Sequence, residues 1–314
     1  MSKQTNSKTI KTSIGGQAVI EGVMMRGPKL TALSVRMPDQ SISTETWDTP
    51  NSNKWYKKTP FIRGVFNFVE SLTDGYKSLM KAAEKAGLDD EEEEPSKFEQ
   101  KLRQLLGDKF MPFLQGCILL FSLAMALFFF AFLPTTLVGF FKDYINHPLA
   151  LSALEGLTKI AILILYLALI SNMSDIKRVF MYHGAEHKTI FCYEHGEELT
   201  VENVRKYTRF HPRCGTSFLV IVLLLSILVS SMVSWDNLWM RVVLKVLCLP
   251  IIMSLSYECI KFAGRHDNLF TRILSAPGLW TQRLTTREPD DSMIEVAIAS
   301  MKKVIPENPD EALF

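Results

Sequence analysis

The sequence predicts a mainly α membrane protein. It has four transmembrane helices, a small cytoplasmic α+β domain at the amino-terminal end and a cytoplasmic helical tail. Three observations predict this. Four long apolar stretches interrupt a composition that is otherwise ordinary, 47% hydrophobic and 22% charged over 314 residues. Lys and Arg gather in the connections on one side of those stretches. Short runs rich in Val, Ile, Thr and Ser, divided by Gly and Pro, precede them.

The elements follow in chain order. MSKQTNSKTIKTS has no apolar core of a signal peptide, so the first span is expected to act as an internal anchor and residues 1–14 to be disordered. Ala18–Met25, Leu30–Met37 and Ser41–Trp47 read as strands, with turns at Gly27-Pro28 and Pro38-Asp39. They predict a small antiparallel sheet. The glycine-rich run from Gly15 to Gly22 lacks the Lys-Ser/Thr of a P-loop and the spacing of a dinucleotide fingerprint, and reads as a turn entering a strand. Phe61–Ala86 has helical period, with Phe61, Ile62, Val65, Phe66, Val69, Leu72 and Tyr76 on one side. Its polar face is not especially basic, so the helix is expected to pack on protein rather than on a membrane. These elements make a cytoplasmic α+β domain over 15–88. An acidic linker, Asp89–Glu94, and a short helix with capping-box spacing at Ser96 and Glu99 fill 89–109.

The membrane domain is expected over 110–262. Phe110–Phe141 and Ser217–Val233 carry no charge, and Leu149–Ser171 carries only Glu155 and Lys159. Leu238–Phe262 is apolar apart from Arg241, Lys245, Glu258 and Lys261. A bilayer core takes about 20 apolar residues at a rise of about 1.5 Å each. Snorkelling explains Arg241 and Lys245. Glu155 and Lys159, four apart on a helix, are expected to pair. Asn172–Thr216 holds Lys177, Arg178, Lys188, Arg205, Lys206, Arg209 and Arg213, whereas Ser234–Asn237 holds no Lys or Arg. This bias puts loop 172–216, both termini and the tail 263–314 in the cytoplasm, with membrane lipid as the surrounding partner. Cys117, Cys248 and Cys259 read as small fillers of spans. Cys192 and Cys214 read as thiols or ligands rather than a disulfide. A net charge of +2 points to no nucleic-acid partner.

Loop 172–216 contains the candidate site. Residues 181–215 read MYHGAEHKTIFCYEHGEELTVENVRKYTRFHPRCG and hold four of the six histidines. On a helix, His183, Glu186 and His187 share one face. Two imidazoles so placed can chelate Zn²⁺, with the carboxylate as ligand or general base, and the spacing is that of the inverted zinc-peptidase pattern H-x-x-E-H. A continuation of the second span as helix through to His187 would carry the trio just outside the bilayer, with Gly184 weakening that helix. His211-x2-Cys214, in a turn shaped by Pro212 and Gly215, precedes the third span. Glu258 lies near the cytoplasmic end of the fourth span, where an ionisable side chain is a functional candidate. Pairing with Lys261 would be its structural alternative.

The expected site is therefore a divalent transition metal, Zn, held by His183, His187 and His211 or Cys214. Glu186 is the expected base and Glu258 a second catalytic carboxylate. Glu21, Arg26 and Arg213 are the expected substrate contacts, the arginines for an anionic group. His195, in the polar stretch EHGEELT, is expected to be a solvated loop residue.

GGQAVIEGVMMRGP at 15–28, HGAEHKTI at 183–190, HPRCGTSF at 211–218 and PGLWTQRLTTREPDDSMIEVAIA at 277–299 resemble the YqhQ-like bacterial membrane proteins. The resemblance covers nearly the whole chain and places four motifs in order. Members of that family carry the label of a metal-dependent enzyme and have no established function. The resemblance implies a bacterial inner-membrane protein with a cytoplasmic metal-type site. His183, Glu186, His187, His211, Cys214, Glu21 and Arg26 fall within its motifs, as do Gln282, Arg283, Thr285, Thr286 and Arg287.

Three functional classes follow. The first is a metal-dependent hydrolase at the cytoplasmic membrane surface, acting on a membrane-associated or cytoplasmic substrate. The second is a non-catalytic scaffold whose ligand cluster is structural. The amphipathic pattern of Met293–Val304 needs a surface, which suggests a protein partner through the tail. The third is a transporter, which needs polar residues facing one another deep in the spans, and only Lys245 and the Glu155–Lys159 pair qualify.

Overall fold

Four short strands pair in sequence order into one antiparallel sheet: β1 (Gly15–Val19), β2 (Gly22–Arg26), β3 (Leu30–Arg36) and β4 (Ile42–Asp48). The computed structural model describes residues 10–50, 54–87, 96–266 and 268–313. Of the stretch 1–14 expected to be disordered, residues 1–9 lie outside the described residues, as do the acidic linker and the Glu99 side chain of the capping box, whereas residues 10–14 are ordered, with Thr12 bridging Leu313 and Ile14 packed in the core.

The run expected as one strand, Ala18–Met25, is two strands joined at Ile20-Glu21. Glu21 turns the chain with φ 48, a left-handed conformation uncommon for a residue with a Cβ. Gly22 then pairs with Val19, and a Cβ on it would meet the Ser34 carbonyl at 2.5 Å.

Among the described residues, twelve α-helices follow. They are α1 (Trp55–Lys58), α2 (Arg63–Lys85), α3 (Lys97–Leu106), α4 (Phe110–Leu127), α5 (Leu133–Gly139), α6 (Pro148–Ile170), α7 (Ser174–Glu194), α8 (Val201–Arg205), α9 (Gly215–Ser231), α10 (Leu238–Arg265), α11 (Leu269–Thr285) and α12 (Asp291–Val304). A π turn, Phe128–Phe132, joins α4 to α5 just before Pro134. Pro134 has no N–H and clashes with the carbonyl four residues back, and the wider turn relieves both.

Among the described residues, three helical stretches are long and apolar enough to cross a membrane: Phe113–Gly139, α6 and α10. The fourth expected span, α9, is apolar but has 17 residues, short of the ~20 that a bilayer core takes.

The chain divides into two units. The first comprises Met1–Leu88, Leu165–Val222 and Pro250–Phe314, the second Asp89–Ile164 and Leu223–Leu249. In the first, the alternation of strand side chains buries both faces of the sheet. Val23, Met25 and Ala32 pack with Tyr182, Ala185 and Cys192 of α7 and with Met293, Val296, Ala297 and Met301 of α12. Val19, Met24, Leu33 and Val35 pack on Ala82 of α2. The surface that the pattern of α12 demands is therefore the sheet of the same chain.

α6 does not run on to His187. The Ser171 hydroxyl and the Asn172 amide donate to the Ala168 carbonyl at 3.0 and 2.6 Å, and Met173 turns extended with ψ 135. The chain restarts at Ser174 as α7, so the site helix is a separate element.

The second unit centres on Glu155, which is fully buried. Its carboxylate accepts from Arg241 Nη2 at 2.9 Å, from Lys159 Nζ at 3.1 Å and from Lys245 Nζ. The expected Glu155–Lys159 pair is present within this larger cluster. Arg241 does not snorkel: it is fully buried, 3.8 Å over the Trp235 ring, and also donates to Ser152 Oγ at 3.3 Å. A buried carboxylate gives its guanidinium a partner that spares the longer reach to water. Removing one member of such a cluster leaves uncompensated buried charge, which costs about 3–5 kcal/mol. Glu155→Gln should lower unfolding stability by roughly that amount in denaturant titrations of the detergent-solubilised protein. Asp143→Asn, at an exposed position, should stay within about 0.5 kcal/mol of wild type.

Candidate metal site

The site is assembled on α7, where His183, Glu186 and His187 occupy one face as their spacing predicts. Each histidine is oriented through Nδ1. His183 Nδ1–H donates to the Thr285 carbonyl at 2.8 Å, and His187 Nδ1–H donates to the Arg209 carbonyl at 2.6 Å. In the neutral imidazoles these bonds put the proton on Nδ1 and the lone pair on Nε2, and they lock the ring planes.

Cys214 Sγ lies 3.1 Å from His183 Nε2. His183, His187 and Cys214 each offer a ligand atom, all within 4.8 Å of one another. His187 Nε2 is buried and has no hydrogen-bond partner. One carboxylate oxygen of Glu186, Oε2, is likewise buried without a partner. The Gly16 backbone hydrogen-bonds the Glu186 carboxylate.

Charge in the cluster follows from burial and proximity. Burial works against a cation on His183, but the Cys214 sulfur and then Glu186 override it and push the imidazole up to about 9. Burial disfavours a thiolate at Cys214, yet His183 and His187 hold the thiol well below its usual range. Burial pushes the Glu186 carboxyl up, with His183 and His187 pulling it back. Without a metal, these neighbours thus favour a Cys214 thiolate beside a His183 imidazolium.

His211 stands one layer out. Its Nδ1 accepts from the Arg213 amide at 3.3 Å and its Nε2 lies 3.8 Å from Glu194 Oε2. Burial drives its imidazole down to about 4, against its hydrogen bond to the Glu194 carboxylate. Burial also raises the Glu194 carboxyl, but His211, Arg213 and the Thr12 amide bring it below the usual carboxylate range. Arg213 is ion-paired with Glu194.

The other expected site residues are engaged elsewhere. Glu258 accepts a two-pronged contact from Arg63, with Nε–Oε1 at 2.7 Å. That partner replaces the expected Lys261. Glu21 is held by Arg178 at 2.5 and 2.6 Å and by the Tyr182 hydroxyl at 3.1 Å. Arg26 pairs with Glu70 at 2.9 Å and Asp74 at 3.4 Å. His195 ends α7, half-buried, with Nδ1–H donating to the Phe191 carbonyl at 2.7 Å and its ring against Tyr207. Cys192 is buried in the core.

Four supporting residues carry geometry that sequence spacing does not announce. Gln282 clamps the turn before Cys214: its Oε1 accepts from the His211 amide at 2.8 Å and its Nε2 donates to the His211 carbonyl at 2.7 Å. Thr285 supplies the carbonyl that orients His183. Gly16 admits Glu186, since a Cβ there would sit 2.9 Å from Glu186 Cδ. Gly184 admits the segment after α11, since its Cβ would sit 2.1 Å from the Arg287 carbonyl oxygen. The only advance signals were two glycines and a Gln and Thr inside one motif.

The pattern of a family described as "Protein of unknown function (DUF1385)" matches residues 59–307. The chain is 36% identical over 299 residues to "Uncharacterized protein YqhQ" of Bacillus subtilis (strain 168), covering 94% of this chain and 93% of that protein. No solved structure matches. The chain belongs to this family of unestablished function.

The Gly184 contact generates a test. Alanine is normally favoured in a helix interior by about 0.8–1.0 kcal/mol. At 2.1 Å from a backbone oxygen the clash should win, with overpacking costing about 1–3 kcal/mol. Gly184→Ala should therefore destabilise the protein by thermal unfolding, whereas Gly116→Ala, at an exposed helical position with nothing within 4 Å of the added Cβ, should not.

Proposed function

We propose that this chain is a metal-dependent enzyme, a hydrolase, acting at the cytoplasmic surface of a bacterial inner membrane. The observation that carries this reading is the pair of orphaned polar atoms. His187 Nε2 and Glu186 Oε2 are buried without partners, which costs about 1–3 kcal/mol each. A cation within reach of the two imidazoles and the thiolate, with a water at Glu186, would satisfy both. Two imidazoles and a thiolate suit Zn²⁺, and three protein ligands leave the open position typical of catalytic sites.

A divalent metal here would supply Lewis acidity that lowers the pKa of water to about 7. The chain's own residues do the rest. Thr285 and Arg209 carbonyls keep the Nε2 lone pairs of His183 and His187 aimed inward. Glu186 takes a proton at its free oxygen, and burial, by raising its proton affinity, suits it to return that proton to a leaving group. Gln282 holds the His211–Cys214 turn so that the sulfur stays in place. The same side chains are mostly buried, which favours the second reading, a closed structural metal site in a scaffold.

Metal analysis of the purified full chain should find about one divalent transition metal per molecule. His183→Ala and Cys214→Ala should each abolish it, and Glu186→Gln should retain it. Cobalt-substituted protein should change its visible spectrum when acetohydroxamate is added. An absent metal would end the metal reading, and an unresponsive cobalt spectrum would leave only the structural one.

The orientation rests on the Lys and Arg bias, with α9 as the fourth span. Cys192 is buried and cannot report it. An impermeant maleimide should instead label Glu198→Cys, at an exposed position, in inverted membrane vesicles and not in intact cells. Labelling from outside intact cells would reverse the orientation.

A further inference from the structure

Helix α2 presents three distinct faces. Its small residues, Gly64, Gly75, Ser78 and Ala82, are buried. Gly64 lies against Ser254 and Tyr257 of α10, and Gly75 against Gln17 of β1. Its charged residues include Glu70 and Asp74, which hold Arg26, and Lys81, which holds Glu45. Its large apolar residues, expected to pack on protein, point outward instead. Ile62, Phe66, Val69, Leu72, Tyr76 and Met80 recur at three- and four-residue steps and are all exposed, Val69 and Leu72 by more than half. Such a patch on an otherwise charged helix marks a surface that something covers.

The position of α2 on α10 says what covers it. A groove of about 520 Å³ runs between the two helices, lined by Phe61, Ile62, Phe66, Pro250, Ile251 and Leu255 among others. Ile251 is 68% exposed, so the bare face of a membrane-length helix continues into the bare face of α2. Just beyond the groove the lining turns polar, with Arg63 on Glu258 and then Lys261 and Arg265. α2 thus meets α10 where that helix passes from apolar to charged, the level of a membrane–water boundary.

We propose that α2 is an in-plane interfacial helix whose stripe Ile62–Phe66–Val69–Leu72–Tyr76–Met80 lies among phospholipid acyl chains, which also fill the groove beside Ile251. Interfacial helices bury such a face about 5–10 Å deep at the headgroup boundary. The small-residue face lets the helix sit close on its own domain, and the charged face stays toward water. The proposal rests on the membrane reading of α10 and is independent of the metal reading.

Photo-crosslinking in reconstituted phospholipid vesicles tests it. Benzoylphenylalanine is placed in the full chain at Phe66, Val69 or Leu72, with Ile251 as the spanning control and Lys81, on the charged face, as the aqueous control. Mass spectrometry should find lipid adducts at Phe66, Val69, Leu72 and Ile251 and only background at Lys81. Adducts between two chains at the α2 positions would assign the stripe to a second copy and overturn the proposal. Lipid adducts at Ile251 with none at the α2 positions would overturn it while leaving the spanning helix intact. No lipid adducts at Ile251 either would remove the membrane reading on which it rests.

Discussion

The structure of the first unit depends on burying polar side-chain atoms on α7, a helix that is also part of the core. α7 contributes Tyr182, Ala185 and Cys192 to the apolar packing under the sheet. The same helix carries Glu186 and His187, only 4% and 1% exposed. Packed interiors penalise unpaired polar atoms, so the surroundings must supply partners. They do so with backbone groups: the Thr285 and Arg209 carbonyls for the imidazoles and the Gly16 backbone for the carboxylate. Backbone partners cannot change rotamer. The rings are thereby fixed from outside, and the inward atoms are left over by design of the packing rather than by accident.

That constraint explains why distant motifs belong together. Gln282 holds both backbone groups of His211 from 71 positions away. Thr285, three residues on, holds His183. Gly278 sits against Ser217, where a Cβ would meet Oγ at 2.5 Å. α11 is therefore a brace that sets the His211–Cys214 turn against α7, and the glycines mark where backbones must come close.

This division accounts for what was legible in the sequence. The face shared by His183, Glu186 and His187 depends only on helical period, and spacing reveals it. The choice between His211 and Cys214 as the third inward group depends on a turn held by Gln282, and spacing is silent about a clamp so far along the chain. The sheet was legible from its residue types, but the Ile20-Glu21 turn was not, because Glu is an unusual residue at positive φ. Periodicity likewise found α2 but misassigned its faces. Apolar residues are assumed to point at protein, whereas here Gly64, Gly75, Ser78 and Ala82 do so. In the spans, Arg241 reads as a snorkelling side chain until Glu155 is seen to offer it a buried partner.

The same edge strand links the two surfaces that matter most. In β1, Gly16 abuts Glu186 while its neighbour Gln17 abuts Gly75 of α2. Adjacent strand residues point to opposite faces, so one strand separates the carboxylate from the helix with the exposed apolar stripe. Tight contacts on both sides leave little room for α2 to shift without moving Gly16. A change in how α2 is seated would thus be felt at the carboxylate first, through its hydrogen bond from Gly16. Cys214 and His183 would feel it later, because their geometry is held by α11 and not by β1. The Glu186 carboxylate and the His183–Cys214 pair are consequently braced by separate parts of the fold, β1 for the first and α11 for the second.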